Sequence, residues 1–496
     1  MKLMKLGITL ATFAVATLQV KQGYATVSAL LSESQTIKLN QLVDEAPDDH
    51  GIVGHTVMVL ANGKLVYSRS KGNTSVESDE QVNKDTIYPI YSVTKLYVSA
   101  ILLRLIEQGK LDASQPVSAY LDDLPDHWTD IRISSLMAHS SGLPEFFDLS
   151  QETSEDPQEI INAMSEKPFA FQTNTNIRYN QTNFLLLKLI IEKQYKLPLT
   201  EVINREIVKP YSLNSTIYGG GNVSVPRRTT HYYIRDKGEI SDFGVWPFAT
   251  TMFAATGLNT SGTDIAKWFE VLLSGDFVAT DTLLAAWQPL TLETGRKATY
   301  SHGWQVQSES QTTAVGHYGG NIINARHFYM NDNPAESVTI LHLTNGGFHP
   351  SFSSFDYAYS LAKIINPNIT MDTVELKAQL IHKAENDQLD DLAETYFAFK
   401  QNPSTQHIFT EYLINDLAYQ LLDTVPAASL KLFELNTKSY PLSANVYDSY
   451  AEALFSEGRY RESRVNYTKA FELDSSYSHI PDRLREIDGK LYELTY

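Results

Sequence analysis

The strand-like segments of this chain fall into two groups with a long strand-poor stretch between them, and that distribution limits the folds open to it. Near the amino terminus, alternating segments at 56–61 and 64–70 flank Asn62-Gly63. Asn-Gly supplies the two positive-φ positions of a tight turn, so these segments predict an antiparallel hairpin. The second group, at 303–306, 326–330 and 338–344, lies far along the chain. A lone hairpin is marginal in water, so the two groups are expected to complete one sheet. Between them, residues 92–107 carry Leu96, Ala100, Leu103 and Ile106 at helical spacing, and the rest of the middle reads as helices and loops. Helices are predicted over 27–45 and 352–365. The expected fold class is α/β (α+β): an antiparallel sheet flanked by helices, with an inserted helical lobe.

The organisation along the chain follows from shifts in texture. Residues 1–25 predict a signal peptide: Lys2 and Lys5 precede an apolar stretch at 7–20, and Gly23-Tyr24-Ala25 offers a small-residue cleavage site. That stretch is shorter than the roughly 20 residues a spanning helix needs, so cleavage leaves no integral membrane segment and the expected location is periplasmic or secreted. Residues 26–370 form the expected main domain, ending where Asn366-Pro367-Asn368 interrupts the pattern, and 371–496 reads as an all-helical domain. Within it, 447–475 places Tyr447, Tyr450, Ala451, Gly458, Tyr460, Tyr467 and Ala470 at offsets that resemble a tetratricopeptide helix pair. Ala427, Leu430, Phe433 and Glu434 resemble the second helix of a preceding copy. Two copies are fewer than usually stand alone, so this tail is expected to pack on something and to offer a surface for a protein or peptide partner.

Composition removes several chemistries. With 43% hydrophobic and 20% charged residues, the chain has the makings of a folded globule rather than a disordered one. Its formal charge of −18 argues against a broad nucleic-acid footprint. The absence of Cys excludes thiol nucleophiles, Cys-ligated zinc, iron–sulfur clusters and disulfides. No His-Glu-x-x-His or Gly-x-Ser-x-Gly pattern occurs, so no metal or cofactor is expected.

Three Ser-x-x-Lys patterns remain, at Ser68/Lys71, Ser92/Lys95 and Ser360/Lys363. The first lies on a predicted strand, where an offset of three sends the side chains to opposite faces. The third reads as helix surface. Ser92 begins a predicted helix, leaving its backbone N–H free to stabilise an anion, and Lys95 stands one turn on along the same face. An amine in a low-dielectric cleft titrates low enough to accept the serine proton.

Around this pair the chain carries YPIYSVTK, LMAHSSGLPEF (136–146), RYNQTNFLLL (178–187), AATGLNTSGTDIAKW (254–268) and GHYGG (316–320), in that order. Over about residues 30–365 it resembles the serine β-lactamase and penicillin-binding protein superfamily, in particular its esterase-like and D-aminopeptidase-like branch. The resemblance implies that Ser92 is the acylated nucleophile and Lys95 its proton acceptor, with Tyr179 sharing the base role and returning a proton to the leaving group. It places Gln181 where the family usually has Asn, holding Lys95 or a substrate amide. It makes His317-Tyr318-Gly319 the strand motif that binds substrate, and Gly320 the second oxyanion N–H beside that of Ser92. His139 is implied to be a structural turn residue. Tyr211, Tyr232, Tyr233, Trp246 and Phe253 lie in segments near the expected cleft, and ordinary packing is expected for each.

The implied activity is acyl transfer on a small-molecule or peptide substrate: a small ester, a D-amino-acid amide or peptide or, less readily, a β-lactam. His317 stands where relatives that process β-lactams often carry a cationic Lys. An imidazole of ordinary pKa about 6.5 holds little charge at pH 7, so weak carboxylate recognition is expected, strengthening as pH falls through its titration. The alternative from a different class is a binding or scaffold protein with a residual hydrolase domain and a peptide-binding tail. Intact Ser92, Lys95 and Tyr179 argue against it.

Overall fold

Asn62 and Gly63 adopt φ of 49° and 74°, the paired left-handed geometry of a tight hairpin, and join β1 (Gly54–Ala61) to β2 (Lys64–Gly72). The computed structural model describes residues 31–148, 152–219, 225–234, 240–242, 247–309, 311–320, 322–346, 352–386, 388–403, 409–475 and 477–494. The expected signal segment 1–25 and Trp246 lie outside the described residues. Strands β3 (Tyr300–Ser301), β4 (Trp304–Ser308), β5 (Thr312–Gly319), β6 (Ile323–Met330) and β7 (Ser337–Thr344) complete a seven-stranded sheet of order β2-β1-β7-β6-β5-β4-β3. Its contacts are antiparallel throughout, and β1 pairs with β7 in the register His55↔Thr344 to Ala61↔Val338. The two distant groups of strands therefore do close one sheet. The strand at 312–319 was recognisable beforehand only at its GHYGG end, because its earlier residues lack a clean apolar–polar alternation.

Alternation along the strands sends side chains to two cores. On the outer face, Val57, Val59, Ala314, Phe328 and Ile340 pack against α1 (Glu33–His50) and α5 (Ser354–Ile365). The first of these helices starts later than the expected 27–45, at a capping box formed by Ser32 and Gln35. On the inner face, Val315, Ala325, Tyr329, Leu341 and Leu343 join the large core of the helical lobe. That lobe is inserted between β2 and β3. It includes α2 (Thr94–Glu107), α3 (Gln181–Tyr195) and α4 (Gly262–Leu273). The eleven buried residues of α2 run all round it, as expected of a helix enclosed by protein on every side.

Beyond the sheet the chain is helical: α6 (Asp372–Glu385), α7 (Leu389–Gln401), α8 (Glu411–Leu422), α9 (Pro426–Ser439), α10 (Ala444–Ser456), α11 (Tyr460–Leu473) and α12 (Ile480–Glu493). The segments matching tetratricopeptide offsets form two consecutive helix pairs, α8 with α9 and α10 with α11. Gly458, at φ 70°, opens the turn of the second pair. Helix α6 links two cores: Val374 packs with α1 and α5, whereas Leu376 and Leu380 pack with α7 to α9. Polar contacts tie its start to the sheet region, with Lys377 on Asp356 at 2.6 Å and Thr373 Oγ1 donating to Glu309 at 2.6 Å. Among the described residues, no helix is long and apolar enough to cross a membrane.

Candidate active site

Ser92 lies in a single 3₁₀ turn, Tyr91–Val93, that leads into α2 rather than in the helix itself. Tyr91 enters this turn at φ 41°, a conformation costly for a bulky residue, and its hydroxyl meets His231 Nδ1 at 2.7 Å. Gly319 packs so closely on the turn that a Cβ there would lie 2.1 Å from the Ile90 carbonyl oxygen. Gly320, at φ 55°, passes over the Tyr91 ring, where a Cβ would lie 2.7 Å from the nearest ring carbon. The end of β5 is thereby seated beside Ser92. The backbone N–H groups of Ser92 and Gly320 have no backbone acceptor among the described residues.

Lys95, one turn on, is fully buried and donates from Nζ to the Ala255 carbonyl at 2.8 Å and to Ser92 Oγ at 3.4 Å. The faces of Tyr179 and Phe184 lie 4.8 and 5.1 Å from the amine. Burial without an ion-pair partner holds its pKa well below the usual lysine range, only partly opposed by the charge of Glu145. Tyr179 donates its hydroxyl to Ser92 Oγ at 2.8 Å, and burial pushes its pKa up, so it stays protonated. The serine oxygen thus sits between a phenol that carries a proton and an amine poised to take one. The other two Ser-x-x-Lys pairs have different partners: Ser68 Oγ faces Met58 Sδ, and Lys363 is paired with Glu375.

The Tyr179 segment is fixed from below. His139, at φ 56° and fully buried, accepts the Asn180 backbone N–H on Nδ1 at 3.1 Å and packs 4.7 Å from the Tyr179 ring. This is the turn function expected of it. Asn180 caps α3, and Gln181 is that helix's first residue. The structure does not bring the Gln181 amide onto Lys95; its Oε1 is buried without a partner, while its backbone N–H donates to Glu145 Oε2 at 2.8 Å. Glu145 also accepts from Phe147 N at 2.9 Å, and burial raises its pKa. The sequence reading assigned Glu145 nothing, although it lies inside a quoted motif, because its position near Lys95 depends on how the turn folds.

His317 and Tyr318 part company. The His317 ring faces Tyr179 and Tyr300, at centroid distances of 5.6 and 6.0 Å, and its Nδ1 bonds the Tyr318 carbonyl at 2.6 Å. Burial pushes its pKa down to about 3, so the expected titration near neutral pH is corrected: the ring stays uncharged across the ordinary range. Tyr318 contributes to the expected strand motif through its backbone. As the next residue of a strand it points to the outer face, against Arg326, and only its backbone borders the site. Of the aromatics flagged nearby, Tyr211 packs on Trp268 and Phe277, Phe253 stacks on Tyr218, and Tyr232 donates to Glu77. Tyr233 is partly exposed. Tyr300, which sequence analysis passed over, walls the cluster 5.7 Å from Tyr179.

The Beta-lactamase family model matches residues 39–362, most of the chain and all of the cluster just described. The chain belongs to the beta-lactamase family. It is a serine hydrolase of the branch that includes penicillin-binding proteins. Penicillin-binding protein 4* of Bacillus subtilis is 23% identical over 58% of this chain and 68% of its own length. Among solved structures, an octameric penicillin-binding protein homologue from Pyrococcus abyssi superposes with a TM-score of 0.57 at 21% identity, covering 70% of this chain and 81% of its own. The D-amino acid amidase of Ochrobactrum anthropi superposes at 0.55 with 19% identity, covering 68% and 97%. At these identities the superpositions establish the fold, and the chemistry rests on the family and the site.

Proposed function

We propose that this chain is an exported hydrolase that forms an acyl-enzyme on Ser92 and cleaves a small ester or a D-amino-acid amide or peptide. The observation that carries the reading is the contact of Ser92 Oγ with both the Tyr179 hydroxyl and the amine of Lys95, whose pKa burial lowers. The lowered pKa favours the neutral amine, and the 3.4 Å separation lets the Ser92 hydroxyl donate to Nζ as Oγ attacks the substrate carbonyl carbon. The N–H groups of Ser92 and Gly320 supply the donors for the oxyanion. Tyr179 then protonates the departing oxygen or nitrogen and recovers a proton from Lys95. Water reverses the sequence: it loses a proton to the same pair, attacks the acyl carbon and releases Ser92.

Substrate choice follows from the charge around this centre. His317 is uncharged, so the strand motif offers a substrate carboxylate no charge, whereas Glu145 brings a carboxylate near Lys95 that suits an amine. This supports neutral esters and amino-acid amides over penicillins and cephalosporins. The amidase among the fold neighbours agrees with it. The amino-terminal segment 1–25 fits export to the periplasm, and the tail from residue 371 fits an accessory module that recruits a protein or peptide.

A fluorophosphonate probe followed by peptide mass mapping tests the first claim: label is expected on Ser92 alone and absent from Ser92→Ala. Label on Ser68 or Ser360, or none on folded protein, would sink it. A panel of D- and L-aminoacyl amides, short-chain esters and cephalosporins tests the second. Cephalosporins turned over as efficiently as the best amide or ester would overturn the substrate class.

A further inference from the structure

On the outer face of the sheet, opposite His317, a guanidinium is buried without an acidic partner. Three adjacent strands meet in the register Arg326↔Gly316↔Gln305. Gly316 has no side chain, so Arg326 lies across it and donates from Nη2 to Gln305 Oε1 at 2.9 Å. Its charge is also stacked on two rings, 4.7 Å from the Tyr318 centroid and 5.2 Å from that of Phe355. The residue is 2% exposed, its Nε has no hydrogen-bond partner, and none of the ion pairs among the described residues includes it. A guanidinium keeps its charge even here, although burial lowers its pKa. A buried cation answered only by an amide oxygen and aromatic rings favours an anion beside it.

Arg326 lines a cavity of about 470 Å³ together with Tyr300, Gln305, Tyr318, Phe355 and the exposed Lys297. Among the described residues no Asp or Glu lines it, in a chain whose formal charge is −18. The walls are therefore aromatic, the floor is a planar cation with a free donor, and the rim carries a second cation. That combination suits a planar anion with an apolar body: the guanidinium fork matches a carboxylate, and the rings cover a flat hydrocarbon. Tyr300 is a shared wall, with its other side toward Tyr179 and His317. The cavity and the Ser92 centre nevertheless draw on opposite faces of β5.

We propose that this cavity is a second binding site, separate from the Ser92 centre, that takes a small monocarboxylate carrying an aromatic body. Calorimetric titration with 3-phenylpropionate tests it on full-length protein whose Ser92 has been blocked with fluorophosphonate. Saturable one-site binding is expected, at least tenfold weaker in Arg326→Met, with 3-phenylpropionamide failing to bind. Because Arg326→Met removes a buried group, Thr299→Trp is the second variant; Thr299 is an exposed residue of the rim, and an indole there should abolish binding while leaving thermal unfolding unchanged. Equal binding of the amide, unchanged binding in Thr299→Trp, absence of binding to the blocked wild type, or binding only when Ser92 is unblocked would each overturn the proposal. The last result would place the acid in the catalytic cleft instead. None of these outcomes depends on which substrate acylates Ser92.

Discussion

Gly319→Ala isolates the contact that holds β5 against the nucleophile turn. The new Cβ would lie 2.1 Å from the Ile90 carbonyl oxygen, 3.0 Å from its carbon and 3.3 Å from Ile323 Cβ. A carbon–oxygen contact relaxes at about 3.3 Å or more, so strand and turn must separate by roughly 1 Å. The Ile90 carbonyl also accepts the Val93 N–H at 3.0 Å, so the displacement passes directly into the turn that carries Ser92. A misplacement of about 1 Å at reacting groups costs on the order of 100-fold, or roughly 2.7 kcal/mol in the barrier. Overpacking at this contact should cost about 1–3 kcal/mol of stability, which leaves the protein folded. Rates of Ser92 phosphonylation by a fluorophosphonate in wild type, Gly319→Ala and Gly489→Ala provide the assay. The last is a control, since a Cβ at Gly489 meets nothing within 4 Å. A Gly319→Ala rate within threefold of wild type would show that the close approach does not set the geometry of Ser92.

Lys95→Ala and Tyr179→Phe should each slow acylation by two or more orders of magnitude, and a near-normal rate in either removes that residue from the proton path. With His317 uncharged down to about pH 3, the kcat/KM profile for a neutral ester between pH 5.5 and 8.5 should keep its shape in His317→Gln; a lost inflection would refute that. Acid should destabilise the fold through buried histidines: folded pKa values are near 4 for His55 and His231 and near 3 for His317 and His327. Each lies below the unfolded value of about 6.5, so the stability is present above pH 6.5 and is lost as pH falls below it, by about 1.4 kcal/mol per pH unit per histidine. Urea midpoints at pH 7 and 5 measure this, and His327→Gln should flatten the slope. A truncation ending at 370 removes the buried Met371 and Val374, so it should melt several degrees below one ending at 386, while both retain acylation of small substrates. Equal melting temperatures would mean that the start of α6 adds nothing to the sheet region.

What the sequence could and could not disclose follows from the range of the interactions involved. Ser92 and Lys95 were legible because one helical turn separates them, and backbone geometry alone brings them to 3.4 Å. Asn62-Gly63 announced its hairpin for the same local reason, and the strands near residue 340 announced theirs by composition. Tyr179 could be found only through its motif, since nothing local says that it reaches Ser92. Which way each side chain of the strand motif points became legible only with the sheet, since a strand sends neighbours to opposite faces and turns Tyr318 toward Arg326. The charge state of His317 depends on a burial assembled from distant segments, with Tyr179, Tyr300 and the end of β5 closing around it.

Arg326 shows the same limit more sharply. It lies in a segment already read as a strand, where a lone Arg is ordinarily taken for an exposed residue. Only the cross-strand register, with Gly316 leaving room and Gln305 receiving the guanidinium, reveals that it is buried. The sheet then separates two environments about one strand. Among the described residues, one face presents a serine between a protonated phenol and an amine whose pKa burial lowers, beside an uncharged His317. The other presents a cation with aromatic walls and no acid to answer it. A substrate selected on the first face for lacking a carboxylate, and a ligand selected on the second for having one, need not compete. Kinetic inhibition by 3-phenylpropionate should therefore be non-competitive or absent in wild type, and competitive inhibition that survives Thr299→Trp would assign the acid to the Ser92 cleft.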